Sequence, residues 1–392
     1  MRERLAARVV EAIRRARSAI IALSERIHGH PELGYQEVKA SAWVAEVLSE
    51  YGYAVDRPYA GMPTALRAVF PGVPERPAIA LLAEYDALPD IGHGCGHNLI
   101  AAVAVGAAVG LAAVAGQLAG RVIVLGTPAE EGGVEGAGGK VVLLERGAFA
   151  CVDAALLLHP SSRTVVASPS HGREALEVSF RGKAALAALA AGDGASALEA
   201  LILTFNGLNA LRLRSGPSVQ IHGIITHGGT HPGTIPHRAV ARLYIRSPDA
   251  AGLEYASTRL RDLARAAARA TGTSVCFRRF SHSYHEMRPN PVLARLMGAN
   301  LQVSGLKPEP AGGGGGSTDM GNVSKVVPAL HAYFAVGDLP VATHTSDFAT
   351  LAGSPAVRRP LIKAARAVAL TCLDLLVCPE HLERARLAHR AP

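Results

Sequence analysis

Three short apolar runs, each closed by side chains that can bind a metal or move a proton, constrain this chain more than any other feature. Residues 78–83 (AIALLA) run into EYDALPD, which carries Asp86. Residues 121–125 (RVIVL) run into GTPAEEGG, which carries Glu130 and Glu131, and residues 154–158 (AALLL) are followed by His159 and Pro160. Apolar runs without polar alternation predict strands covered on both faces. Helical patterns at 98–118 and roughly 137–146 lie between them. Strand–helix–strand alternation predicts an α/β domain with a mostly parallel sheet flanked by helices. In such sheets ligands bind outside the carboxyl ends of the strands, and three strands deliver acids or an imidazole to that end.

A chain of 392 residues has room for about two domains. The first 45 residues read as helix, interrupted by a loop at IHGHPELGYQE (27–37). The basic N-terminal stretch has no continuous apolar segment and is not read as a signal peptide. Residues 99–120 carry no charge and would be long enough to span a bilayer. They consist of Ala, Gly and Val rather than Leu, Ile and Phe, which predicts a helix buried in protein. Beyond His171 the pattern changes. A half-exposed strand at 174–182, a helix at about 184–213, strands in SVQIHGIITHGG and AVARLYIRSPD, and a helix at 251–271 predict an inserted α+β domain of ferredoxin-like type. The expected division is therefore 1–171 and 289–392 for the α/β domain, with 172–288 inserted. The run GGGGGSTDMGN (312–322) is expected to be a tight backbone loop.

The formal net charge of +8 would suit nucleic acid, but the arginines are scattered and aromatics are only 5% of the chain, so no stacking platform exists. The surplus charge is compatible with anionic substrates. Five cysteines, Cys95, Cys151, Cys276, Cys372 and Cys378, form no C-x-x-C pair. Their odd number and wide spacing fit a reducing, cytoplasmic compartment, and most are expected to be small buried hydrophobes.

Cys95 has different company: it sits in GHGCGHN (92–98) between two glycines, with His93 and His97 on either side. Thiolate, imidazole and carboxylate form the zinc ligand set, so Cys95, His97, Glu131 and His159 together suggest a metal site. Singly, each has an ordinary structural role, and His93 is equally well a flanking residue. A nucleophilic Cys95 with His97 as base is the alternative, but it leaves the adjacent acids unused. At a metal site one carboxylate binds the ion while its neighbour handles a proton, two roles that suit Glu131 and Glu130.

The segments HGHPELGYQE, AEYDALPDIGHGCGHN, GTPAEEGG, LLLHPSSRT, GGSTDMGNVS and HTSDFA resemble the zinc aminoacylase–carboxypeptidase family of metallopeptidases. The resemblance is to its amidohydrolase branch, with aminobenzoyl-glutamate, hippurate and auxin-conjugate hydrolases, and within it to the aminoacylase-1-like-2 group. It implies a catalytic α/β domain and an inserted lid that also makes a homodimer. It further implies two divalent ions, zinc by default with manganese or cobalt as substitutes. Cys95, His97, Glu131, His159 and His344 would be the ligands, the thiolate bridging the pair. Glu130 would be the general base and acid, Asp86 would orient a ligand, and Arg246 would hold a substrate carboxylate. The implied reaction is hydrolysis of an amide in a small N-acyl amino acid, dipeptide or aminobenzoyl-glutamate-like molecule; no nucleic acid or membrane is involved. The inserted domain departs from the family pattern: Leu186 stands where a histidine belongs and Gly233 where an asparagine belongs. His227 or His231 could take over the missing role, or the chain could be a non-catalytic, metal-containing binding protein.

Overall fold

The computed structural model describes residues 1–311, 315–337 and 341–391. Among them the chain forms β1 (Ala54–Asp56), β2 (Leu66–Val69), β3 (Ala78–Ala83), β4 (Arg121–Gly126), β5 (Ala154–Ser161), β6 (Gly172–Arg181), β7 (Gln220–His227), β8 (Arg238–Ser247), β9 (Ser274–Arg279) and β10 (Ala329–Ala335). It divides into two units: Met1–Pro169 with Met287–Gly314 and Asn322–Pro392, and Ser170–Glu286 with Gly315–Gly321.

The first unit carries a mixed sheet of order β1-β2-β4-β3-β5-β10. β3 pairs in parallel with β4 and β5, and β5 with β10; β1 and β2 add an antiparallel edge. Every residue of β3 is buried, as a central strand covered on both faces requires. The chain leaves β3, crosses to β4 on one side and then to β5 on the other, so the order reverses beside β3. That reversal opens a crevice at the carboxyl ends. The uncharged segment forms the helix His97–Ala112, buried from His97 to Leu111. Its small residues let neighbours approach: a Cβ on Gly110 would stand 2.6 Å from Ile13 Cγ1, and one on Gly106 3.1 Å from Ala365 Cβ. The helices Arg2–Arg15 and Arg358–Val377 thus pack directly on it. No helix among the described residues is long and apolar enough to cross a membrane.

The second unit is an antiparallel sheet of order β7-β8-β6-β9, met along the chain as β-α-β-β-α-β, the ferredoxin-like arrangement. Leu176, Val178 and Phe180 of β6 and Ala241, Leu243 and Ile245 of β8 form one face. They pack with Leu201 and Leu208 of the helix Ala197–Ser215 and with Leu260 and Ala264 of the helix Ala250–Ala270. Both helices begin with a side-chain cap: Ser196 accepts from the Glu199 N–H, and Asp249 from the Gly252 N–H.

Several local expectations are corrected. The single helix expected over 184–213 is a short turn at Ala187–Ala190, a 3-10 turn at Ala191–Asp193 and then the capped helix from Ala197; Gly192, Gly194 and Ser196 break an otherwise helical Ala/Leu pattern. The helix expected at 98–118 ends at Ala112. His159 lies within β5 rather than after it. The first half of β6 is buried on both faces rather than half exposed. Only Cys95 and Cys372 are buried; Cys151 and Cys276 are exposed. Of the glycine run at 312–322, residues 312–314 lie outside the described residues, and a helix already begins at Met320. Gly110→Leu should gain about 1 kcal/mol of helix propensity but lose more to overpacking, typically about 1–3 kcal/mol. A lowered urea midpoint is the expected result.

Candidate metal centre

The carboxyl ends of β3, β4 and β5 bring the expected residues together. Gly96 caps the helix that His97 opens, with φ +79°, and a Cβ there would stand 2.6 Å from Pro160 Cγ. The left-handed backbone and the close approach of β5 both select glycine. Ligand atoms of Cys95, His97 and His159 lie within 4.8 Å of one another, as do those of Cys95, Glu131 and His344, and of His97, Glu130 and Glu131. Cys95 belongs to the first two sets, so its sulfur can serve both.

Hydrogen bonding decides which ring nitrogens are bare. His97 Nδ1 lies 2.8 Å from Asp86 Oδ1. A carboxylate accepts, so Nδ1 carries a proton and Nε2 is the nitrogen left to face an ion. That Nε2 faces Glu84 Oε2 at 3.5 Å and Glu131 Oε1 at 3.7 Å. Neither His97 Nε2 nor Glu131 Oε1 has a hydrogen-bond partner, and both are buried. His159 Nδ1 lies 2.6 Å from the Pro160 carbonyl oxygen, which leaves Nε2 bare, 3.3 Å from Cys95 Sγ. Burial, with His331 and His97 nearby, pushes His159 down to about 3, so its ring stays neutral. Burial also pushes the Cys95 thiol up, and the Glu131 carboxylate adds to it. A thiolate therefore needs a cation beside it, which removes the basis for an unaided cysteine nucleophile. Burial lowers His97, but Asp86 and Cys95 outweigh it and raise the ring well above its ordinary value, so an ion at Nε2 would take the place of a proton. Buried ligand atoms that converge without hydrogen-bond partners call for a cation among them. The donor set fits divalent ions.

Asp86 does two jobs. Besides fixing His97, its Oδ2 accepts the Glu131 backbone N–H at 2.9 Å. His344, with a left-handed φ of +65°, donates its backbone N–H to the Gly94 carbonyl at 2.7 Å, and its Nε2 lies 3.6 Å from Glu131 Oε1. His93 is buried with Nε2 3.1 Å from the Ile27 carbonyl oxygen, outside the ligand sets. Arg246 and His227 belong to the second unit, Arg246 on β8 and His227 at the end of β7. His231 is exposed, its Nδ1 accepting from the Gly233 N–H.

Four buried residues escaped the sequence reading. Glu84 and Lys140 form an ion pair at 2.5 Å, both essentially inaccessible. Complete burial would push Glu84 up, but Lys140 and His97 hold it at about 2. Glu37 Oε1 accepts the N–H of Ala129, which has φ +54°, and so holds the loop before Glu130; burial and Asp86 push Glu37 up to about 8. His331 lies buried against His159 and Tyr333. Glu84 was visible two residues before Asp86 on the same strand end. A lone lysine in an apolar helix and a lone histidine in an apolar strand carry no such signal.

Removing Lys140 strands a buried charge, which costs roughly 3–5 kcal/mol. Lys140→Met should lose stability on that scale by chemical denaturation, and Lys140→Met with Glu84→Gln should recover most of it. In the wild type Glu84 is depressed on folding, so its contribution is present above the ordinary carboxylate range and fades as pH falls toward about 2.

A model of peptidase family M20/M25/M40 matches residues 80–357. A mouse Xaa-Arg dipeptidase is 39% identical over 98% of this chain and 92% of its own length. A p-aminobenzoyl-glutamate hydrolase polypeptide of Escherichia coli is 32% identical over 73% of this chain and 63% of its own. A Bacillus subtilis protein described as a dinuclear metal binding peptidase of the M20 family shares the fold, with TM-score 0.68, 19% identity, and coverage of 93% of this chain and 99% of that one. With the family match spanning most of the chain and the mouse relative nearly all of it, this chain belongs to peptidase family M20/M25/M40.

Proposed function

We propose that this chain is a dinuclear metal-dependent amidohydrolase that cleaves the amide bond of a small N-acyl amino acid, dipeptide or aminobenzoyl-glutamate-like substrate. One observation carries the reading: His97 Nε2 and Glu131 Oε1 are buried together beside Cys95, each without a hydrogen-bond partner. Cys95, His97, Glu131, His159 and His344 would hold the two ions, zinc by default for this donor set and manganese or cobalt as substitutes. Bound there, the ions supply Lewis-acid polarisation of the amide carbonyl and acidify a water. Glu130, partly exposed and one residue from Glu131, takes the proton from that water and returns it to the leaving amine. Asp86 keeps His97 in the tautomer that offers Nε2.

The Xaa-Arg dipeptidases and the aminobenzoyl-glutamate hydrolase among the relatives support amide hydrolysis as the reaction class. Arg246 is the proposed partner of a substrate carboxylate and His227 a further substrate contact. A homodimer through the second unit and a cytoplasmic location complete the proposal. A second reading, a metal-containing binding protein without turnover, draws on Leu186, which is 52% exposed where the family pattern has a histidine.

Elemental analysis separates these readings from an unmetallated fold. Two ions per chain are expected in the wild type, and one or none in Cys95→Ala. Glu130→Gln should keep its metal and lose about 10²–10⁴-fold in kcat; retained turnover would exclude Glu130 as the base. Chelation should abolish activity and added zinc restore it. Full metal content with no hydrolysis across a broad amide panel would favour the binding protein.

A further inference from the structure

In the second unit Arg242, Arg278 and Arg279 of the sheet meet carboxylates, and Arg181 and Arg238 stand exposed to solvent. On the face away from the helices, Glu177 takes Arg242 and Arg278, both at 2.9 Å. On the helix face Glu174 takes Arg261 at 2.5 Å and Arg279 at 3.2 Å. Arg173 and Arg246 are different. They are direct cross-strand partners on β6 and β8, so their side chains leave the same face of the sheet side by side. Like charges directly opposite repel, and buried cations are normally paired.

Arg173 is only 4% exposed. Its guanidinium lies 3.8 Å from the Tyr284 ring and 4.8 Å from the Tyr244 ring, and it donates to Ser281 Oγ at 3.0 Å. Arg246 lies 5.2 Å from the same Tyr244 ring. Among the described residues neither guanidinium meets a carboxylate, and the Nε of each is buried without a hydrogen-bond partner. Next to them His171 holds the Gly316 carbonyl through its backbone N–H, while its own Nδ1 and the neighbouring Ser317 Oγ are also buried and unpartnered. A buried and a half-buried guanidinium with aromatic walls are a receptor for negative charge. Planar forks match carboxylates bidentately.

We infer that Arg173 and Arg246 form one site for a small dicarboxylate, and that Arg173 makes this chain select substrates whose amine half is an acidic amino acid. The second clause rests on the amidohydrolase function proposed above. Two positive charges neutralise two carboxylates, one from the chain terminus and one from the side chain of a glutamyl or aspartyl residue. A lysyl or arginyl side chain would bring a third positive charge. The expected preference is therefore opposite to the one named for the Xaa-Arg dipeptidase relatives.

Calorimetry with glutarate, butyrate and inorganic phosphate tests the site without turnover. It is run on metal-loaded and on chelator-stripped wild type, so that carboxylate binding to metal is separated. Glutarate should bind at least tenfold tighter than butyrate or phosphate, and Arg173→Met should remove that margin. Equal affinity for glutarate and butyrate in the wild type overturns the site even if Arg173→Met fails to fold. Phosphate binding as tightly as glutarate overturns the dicarboxylate assignment in favour of an inorganic anion. With the metal-loaded enzyme, alanyl-glutamate should exceed alanyl-arginine in kcat/KM, mostly through KM. Arg173→Glu should reverse the order by about 100-fold or more, and Arg173→Lys should keep it. A wild type preferring alanyl-arginine overturns the selectivity. Glutarate binding without any amide hydrolysis would leave the site standing and remove the hydrolase reading instead.

Discussion

The Asp86 carboxylate is the contact on which the centre depends. One oxygen takes the Nδ1 proton of His97 and the other takes the backbone N–H of Glu131. The first bond decides that His97 offers Nε2. The second fixes the loop after β4 relative to the loop after β3, although the two lie far apart in sequence. A single acid therefore sets both the tautomer of one ligand and the placement of the next. Supporting hydrogen bonds of this kind orient metal ligands and tune their basicity.

The surrounding charges follow from that arrangement. Several acids converge beneath His97, and leaving them all ionised in a dry interior would be costly. Lys140 neutralises Glu84 from the helix Gly139–Glu145. Glu37 rises toward neutrality and holds the strained Ala129 backbone instead. The imidazoles His159 and His331 remain uncharged through burial. His97 Nε2 and Glu131 Oε1 are buried without hydrogen-bond partners on the side shared with Cys95. In the second unit Arg242, Arg261, Arg278 and Arg279 meet carboxylates, whereas the buried Arg173 and the half-buried Arg246 do not.

Much of this was legible in the residues. The central strands are buried on both faces, so their apolar runs were unbroken and their polar ends conspicuous; residues 78–83 form the strand read from them. The uncharged 99–120 segment announced a helix packed on several sides. The split helix near residue 190 was overlooked, because Ala and Leu favour helix on either side of Gly192, Gly194 and the capping Ser196. Cysteine burial was misjudged because a small apolar residue fits surface and core alike.

The residues alone determined the class of chemistry. Cysteine, histidine and adjacent acids at strand ends define a donor set whatever their exact positions, since ligand type follows from atoms. Only the tertiary structure decided how those donors work together. Asp86 bridging two loops, Lys140 closing on Glu84, and Arg173 standing beside Arg246 are each pairings between segments separated along the chain. Their energies depend on burial and on the absence or presence of a partner within a few ångströms. Neither quantity is a property of any residue until the chain has folded.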